Sequence, residues 1–183
     1  MDVFIDFKSP AAYLALGPTL ALAKRLPVEI NWHPCMSRPS IIPQAQANED
    51  RGATHRRVRA IQRQKTFLHY AGVQQITMNF RKSPGNTDFA LATLETLTGD
   101  RTPFVIDAFQ AYWTSAQDLN DPHTVQQLAP KSPGSLDVSS ALDRAFERSQ
   151  TYGVIDAPAY VVAGQLFIGR EHLPWIERLL TDG

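Results

Sequence analysis

Within the first 34 residues a strand pattern, a helix start and a second strand pattern follow one another with almost no connecting chain. Val3, Ile5 and Phe7 alternate, with Phe4 on the opposite side, so Asp2–Phe7 reads as a buried strand. Ser9-Pro10 follows at once. A serine oxygen can accept from a free helix N–H at the cap, and proline suits the first helical position. A helix is expected from Pro10 to about Arg25, kinked at Gly17-Pro18. Val28–His33 is a second strand, closed by Pro34. If the two strands are parallel, this is a βαβ unit with a right-handed crossover.

The next hundred residues carry helical signals. Residues 35–48 hold Ser37, Pro39, Ser40 and Pro43 and read as a loop. Helices are expected over Arg51–Gly72, stopped by Gly72, and over Thr87–Thr98, stopped by Gly99. A third opens at Thr102-Pro103, a short one runs from Asp121-Pro122 to Ala129, and another spans Asp137–Tyr152, ended by Gly153. Then the period changes. Ala159–Val162 is an apolar strand run, Gly164-Gln165 a turn, Leu166–Ile168 the return strand and Glu171–Leu180 a last helix.

This order is βαβ, a set of helices, then ββα. It is the thioredoxin arrangement, an α/β fold with an all-helical insertion. Residues 1–34 and 153–183, supported by the helix over 137–152, form the thioredoxin-like part, and 35–136 the insertion. A chain of 183 residues should bury about 70% of its unfolded surface, so it needs no disulfide or structural metal. It has one cysteine, Cys35, which excludes an intrachain disulfide, a CxxC redox pair and a cysteine-based zinc cluster. Its five histidines lack ligand spacing such as HExxH, so no metal site is expected. Lys+Arg 18 balances Asp+Glu 18, which gives no charge argument for nucleic acid. The run Arg51, Arg56, Arg57, Arg59, Arg63, Lys65 reads as a solvated helix face. No apolar stretch approaches the length of a membrane span, and no secretory signal is visible, so a cytoplasmic protein is expected.

Two places invite chemistry. Ser9 lies where a strand hands over to a helix, and a helix N-terminus offers unpaired N–H groups and partial positive charge to an anion. Pro158, at the mouth of a strand, is a candidate cis-proline, which would leave the backbone of Ala157 open to an extended peptide.

Phe4-Ile5-Asp6-Phe7-Lys8-Ser9-Pro10-Ala11-Ala12-Tyr13-Leu14 resembles the opening of 2-hydroxychromene-2-carboxylate isomerases and kappa-class glutathione transferases, in the DsbA-like thioredoxin group. Ala111-Tyr112-Trp113 with Asp118-Leu119-Asn120-Asp121 is similar to the family's Trp, then Asp-Ile-x-Asp segment. Gly153-Val154-Ile155-Asp156-Ala157-Pro158-Ala159-Tyr160-Val161-Val162 and Leu166-Phe167-Ile168-Gly169 resemble its C-terminal signature. These motifs run in order over nearly the whole chain.

The resemblance implies a glutathione-dependent isomerase of a 2-hydroxychromene-2-carboxylate-like aromatic acid. Ser9 would donate to the glutathione sulfur and favour its thiolate, which adds reversibly to a conjugated carbon. Ala157, ahead of Pro158, would pair with the cysteinyl backbone. Arg170 and Glu171 would meet the γ-glutamyl end, and Asn86 is a further glutathione contact. Tyr13, Tyr112, Trp113 and Phe67 would supply an aromatic wall, and Arg56, Arg59 or Arg63 a cation for the acid. Relatives suggest a homodimer. Two other readings stay open: a kappa-like glutathione transferase, and a binding protein of this fold without catalysis. The chain departs from the family at Arg170-Glu171, where Asn or Ser followed by Asp is usual. It also lacks the usual Arg near Thr93 and the Gly-rich turn in Cys35–Pro43.

Overall fold

A computed structural model describes residues 1–26, 28–129 and 135–181. Residues 130–134 of the expected insertion and residues 182–183 of the last segment lie outside the described residues. Four strands form one sheet: β1 (Asp2–Ile5), β2 (Asn31–Pro34), β3 (Ala159–Val162) and β4 (Gln165–Ile168), in the spatial order β2-β1-β3-β4. β1 and β2 are parallel, with Val3 opposite Trp32. β3 runs antiparallel to both β1 and β4. α1 (Pro10–Arg25) joins β1 to β2, and α7 (Leu173–Thr181) follows β4 after a 3-10 turn at Arg170–His172. Between β2 and β3 lie α2 (Arg51–Val73), α3 (Asp88–Thr96), α4 (Thr102–Trp113), α5 (Pro122–Leu128) and α6 (Val138–Tyr152).

Both faces of the sheet are covered, so its central strands read as continuous apolar runs. Val3, Phe4, Ile5, Trp32 and Tyr160 are all buried. Across one face the Tyr160 hydroxyl meets Thr19 Oγ1 of α1 at 2.9 Å. On the insertion side α6 is tied to α3 by Arg148, whose two guanidinium nitrogens reach Glu95 Oε2 and Oε1 at 2.5 and 2.9 Å.

Most expected elements are present, with corrections at their ends. β1 stops at Ile5 rather than Phe7, because Ser9 N donates to Asp6 O and turns the chain. β2 starts at Asn31 rather than Val28. α1 runs through Pro18 as one helix; the Leu14 carbonyl that proline leaves without a helix donor accepts from Gln74 Nε2 at 3.2 Å. α2 passes Gly72, and the reversal falls on Gln75, at φ 55°. Thr87 and Thr102 do not cap their helices. Their hydroxyls go to buried groups instead: Thr87 donates to Asp6, and Thr102 accepts from the Trp32 indole at 3.0 Å.

The hairpin turn is Ala163-Gly164, not Gly164-Gln165, since Val162 pairs with Gln165. Both turn residues have positive φ, 49° and 76°, as a two-residue primed turn requires. Ala163 is exposed and carries a β-carbon into a region that costs about 1 kcal/mol. Ala163→Asn, a residue this position favours, is therefore expected to raise stability by about 0.5–1 kcal/mol. Urea unfolding checks this; a midpoint that stays put or falls would count against the turn assignment.

Candidate active site

Ser9 caps α1. Its Oγ accepts from Ala12 N at 3.2 Å and donates to Ala157 O at 2.8 Å. The Ala157–Pro158 peptide is cis, as the sequence suggested. Ala157 N donates to Asp156 Oδ1 at 2.9 Å. Both backbone groups of Ala157 are thus engaged within the chain, and the single Ser9 proton is directed at a carbonyl. Ser9 itself is buried at 6% exposure.

Beneath Ser9 lies a fully buried carboxylate, Asp6. Its Oδ2 accepts from Lys8 Nζ at 2.5 Å, Ser37 N at 2.8 Å and Ser37 Oγ at 2.9 Å. Its Oδ1 accepts from Lys8 N and Thr87 Oγ1, each at 3.2 Å. Asp6 therefore gathers three loops at the C-terminal end of β1: the turn into α1, the loop after β2 and the entry to α3. Sequence reading passed over it, although a charge inside an apolar strand end is the signal that could have found it.

Two adjoining hollows open over the α1 N-terminus. A groove of about 680 Å3 runs from Ala157 and Pro158 to Gly169, Arg170 and Glu171. A smaller cleft of about 180 Å3 is lined by Ser9, Pro10, Arg38 and Ser40. Ala11, Arg63, Phe67, Asp156 and Ala157 border both. At the far end of the groove the Arg170 guanidinium lies 4.4 Å from the Tyr70 ring centre and reaches Leu14 O at 3.5 Å. Gly169 sits at φ 103°, and a β-carbon there would meet the Glu171 carboxylate where it now lies. That glycine lets the Glu171 carboxylate fold back against the end of β4.

The structure thus brings Ser9, Ala157, Pro158, Arg170 and Glu171 to one surface. The other expected contacts are corrected. Tyr13, Tyr112 and Trp113 are buried in the core. Tyr13 stacks on Trp113 with centroids 5.8 Å apart and donates to Thr77 O, while Trp113 Nε1 donates to Phe7 O. Tyr112 accepts from Gly85 N and carries Arg81 on its ring. The α4 residues are inward because that helix packs its aromatic stripe under α1. Asn86 is exposed, caps Asp88 N at 2.8 Å and borders neither hollow. Of the arginines weighed, Arg63 borders the site, and Arg56 and Arg59 do not. Phe67 is the wall residue that holds its place, joined by Tyr70, one helical stripe further along α2.

Cys35 is no rival nucleophile. Burial, followed by the nearby Asp6 and Asp156 charges, pushes its thiol up to about 12, so it stays protonated at neutral pH. Another cavity, about 770 Å3, lies by Asp2, Trp32, His33 and Arg101 at the opposite end of the parallel strands. There burial lowers the His33 pKa, so at neutral pH the ring is uncharged beside Asp2. Among the described residues no group of three or more His, Cys, Asp or Glu could hold a metal ion, and no helix is long and apolar enough to cross a membrane.

No family model matches the chain. A curated relative does: the 2-hydroxychromene-2-carboxylate isomerase of Sphingobium xenophagum is 27% identical, over 100% of this chain and 98% of the relative. The resemblance to this family holds from end to end. A solved 2-hydroxychromene-2-carboxylate isomerase superimposes with a TM-score of 0.68 at 17% identity, covering 99% of this chain and 94% of the other. The cytosolic disulfide reductase DsbM of Pseudomonas aeruginosa, solved with GSH, superimposes with a TM-score of 0.59 at 12% identity, covering 99% and 95%. The fold is the DsbA-like thioredoxin fold that these isomerase and reductase structures share.

Proposed function

We propose that the chain is a glutathione-dependent isomerase acting on a 2-hydroxychromene-2-carboxylate-like aromatic acid. The observation that carries this reading is the Ser9 hydroxyl, held at the N-terminus of α1 in the smaller cleft and 2.8 Å from the carbonyl of Ala157, which also borders the groove that ends in Arg170 and Glu171. The groove's volume lies within the range of about 300–1,000 Å3 usual for small-molecule sites. Its donors and acceptors suit a tripeptide: the Ala157 backbone for an extended main chain, an acid and a guanidinium for an amino-acid head. The 27% identical relative adds the isomerase activity, and the GSH in the DsbM structure adds the thiol.

When bound, glutathione supplies a thiol nucleophile for reversible addition to a conjugated carbon. The chain's part is to hold that sulfur and favour its ionised form. Ser9 turns its proton from Ala157 O toward the sulfur, and the unpaired N–H groups of α1 add partial positive charge. Ala157 exchanges its bonds to Ser9 and Asp156 for bonds to the peptide. Glu171 accepts from the α-ammonium. Phe67 keeps water from the reacting atoms. Location in the cytoplasm and assembly as a homodimer belong to the same proposal.

One observation favours the rival reading of a binder without catalysis. Arg170 is committed to Tyr70 and Leu14, at the position where the family that the sequence resembles usually has Asn or Ser. Calorimetric titration with reduced glutathione tests the thiol site that the isomerase reading needs, and turnover of a chromene-type acid in its presence separates that reading from the binder. Saturable binding in the millimolar range or tighter is expected. No heat up to several millimolar would remove the glutathione reading. If binding is seen, isomerisation regenerates glutathione, whereas the kappa-like transferase reading has it consumed with substrate.

A further inference from the structure

We propose that Arg38 and Arg63 form an anion clamp over Ser9, which holds the carboxylate of the electrophilic substrate. This deepens the isomerase reading and rests on it.

The two guanidiniums come from different elements. Arg38 stands in the loop after β2, and Arg63 on α2; both are exposed and both line the 180 Å3 cleft with Ser9. Neither has a hydrogen-bond or ion-pair partner among the described residues. Several arginines elsewhere are committed, Arg57 to Glu49, Arg25 to Glu177, Arg148 to Glu95, and Arg101 to Leu97 O and Trp32 O; Arg51, Arg56 and Arg59 are as free as Arg38 and Arg63 but border neither hollow. The acid bordering the cleft, Asp156, already accepts from Ala157 N. Two guanidiniums against one carboxylate leave the cleft with net positive charge.

The division of space fits two ligands. The cleft is smaller than the range of about 300 Å3 and upward for a whole small-molecule site. It suits the acid end of a ligand whose other parts extend beyond it. The larger groove takes the peptide thiol, and the two meet at Ala157 and Phe67. Phe67 offers a flat face to a conjugated ring. A carboxylate gripped by two guanidiniums would fix the ring's conjugated carbon near the sulfur side of Ser9.

The position of Arg38 is set by Asp6. Its neighbour Ser37 gives both its N–H and its hydroxyl to the Asp6 carboxylate. Asp6 therefore ties both places: its backbone carbonyl accepts from Ser9 N, and its carboxylate holds the loop that carries Arg38.

The test uses cinnamate, a planar conjugated acid, and its neutral methyl ester, titrated into the full chain without glutathione. Wild-type protein is expected to bind cinnamate and to prefer it to the ester, with affinity falling as salt is raised. The double variant Arg38→Met, Arg63→Met is expected to lose about tenfold in cinnamate affinity and to level the two probes. Both side chains are exposed, so the variant should keep its circular dichroism spectrum. Equal cinnamate affinity in variant and wild type overturns the clamp, as does equal affinity for acid and ester, or no cinnamate binding by wild type. The glutathione titration is read separately. Arginine-dependent cinnamate binding with no glutathione binding would sustain the clamp while the thiol reading fails.

Discussion

Asp6→Ala is expected to cost about 3–5 kcal/mol, a large share of the stability of a domain this size. The reason lies in what surrounds the carboxylate. Five donors converge on its two oxygens: Lys8 N, Lys8 Nζ, Ser37 N, Ser37 Oγ and Thr87 Oγ1. Asp6 is 0% exposed, and the Lys8 side chain only 13%. Removing the acid leaves buried donors without acceptors and a half-desolvated ammonium without its partner. Each such group costs far more unpaired than its bond contributes when made. Asp6→Asn keeps the shape and should still be destabilising. Its amide nitrogen would face donors, since every neighbour of Asp6 donates. Urea unfolding of both variants gives the measurement. If Asp6→Ala stays within 1 kcal/mol of wild type, the loops are held by something other than this carboxylate.

The sheet's central strands were legible because they are buried on both faces and short. The runs Val3–Ile5 and Ala159–Val162 admit little else. Helix starts were legible where the cap side chain accepts from its own first turn, as at Ser9-Pro10, Asp121-Pro122 and Asp137. The starts at Thr87 and Thr102-Pro103 were legible too, but not the role of their hydroxyls: Thr102 accepts from the Trp32 indole and Thr87 donates to Asp6. Local rules cannot see a partner 70 or 81 residues away.

The site divides in the same way. Ser9, Pro158 and Glu171 stand in motifs with fixed spacing from strand ends, so their meeting place could be read. The aromatic wall could not. Tyr13, Tyr112 and Trp113 have the composition of a binding wall, but the packing of α1 on α4 turns them inward. Phe67 and Tyr70 face the groove because α2 stands largely outside the core, with Ala71 its one buried residue. Arg38 lies in a loop without periodicity, where sequence carries no sign of direction.

Ser9→Ala should lower kcat by about 10²–10³, the loss usual for one donor aimed at a developing or stabilised anion. Its stability cost should be smaller. The cap bond to Ala12 N is worth about 1 kcal/mol, and the buried Ala157 carbonyl left without its donor adds about 1–3 kcal/mol. A purely structural role would predict that cost alone, with turnover restored once the variant is folded. The pH profile separates the two. On the proposed reading, Ser9 and the α1 N-terminus both favour the ionised thiol, so its midpoint in wild type is expected below that of a free thiol, about 8.5. Without Ser9 the midpoint moves up. The deficit should then be greatest at neutral pH and shrink above both midpoints, where the thiol is ionised with or without the hydroxyl. A deficit that is the same at every pH would mean that Ser9 positions the groove through Ala157 and does not act on the sulfur. Unchanged turnover would remove Ser9 from the reaction; Cys35, its thiol pushed up to about 12, cannot take the place.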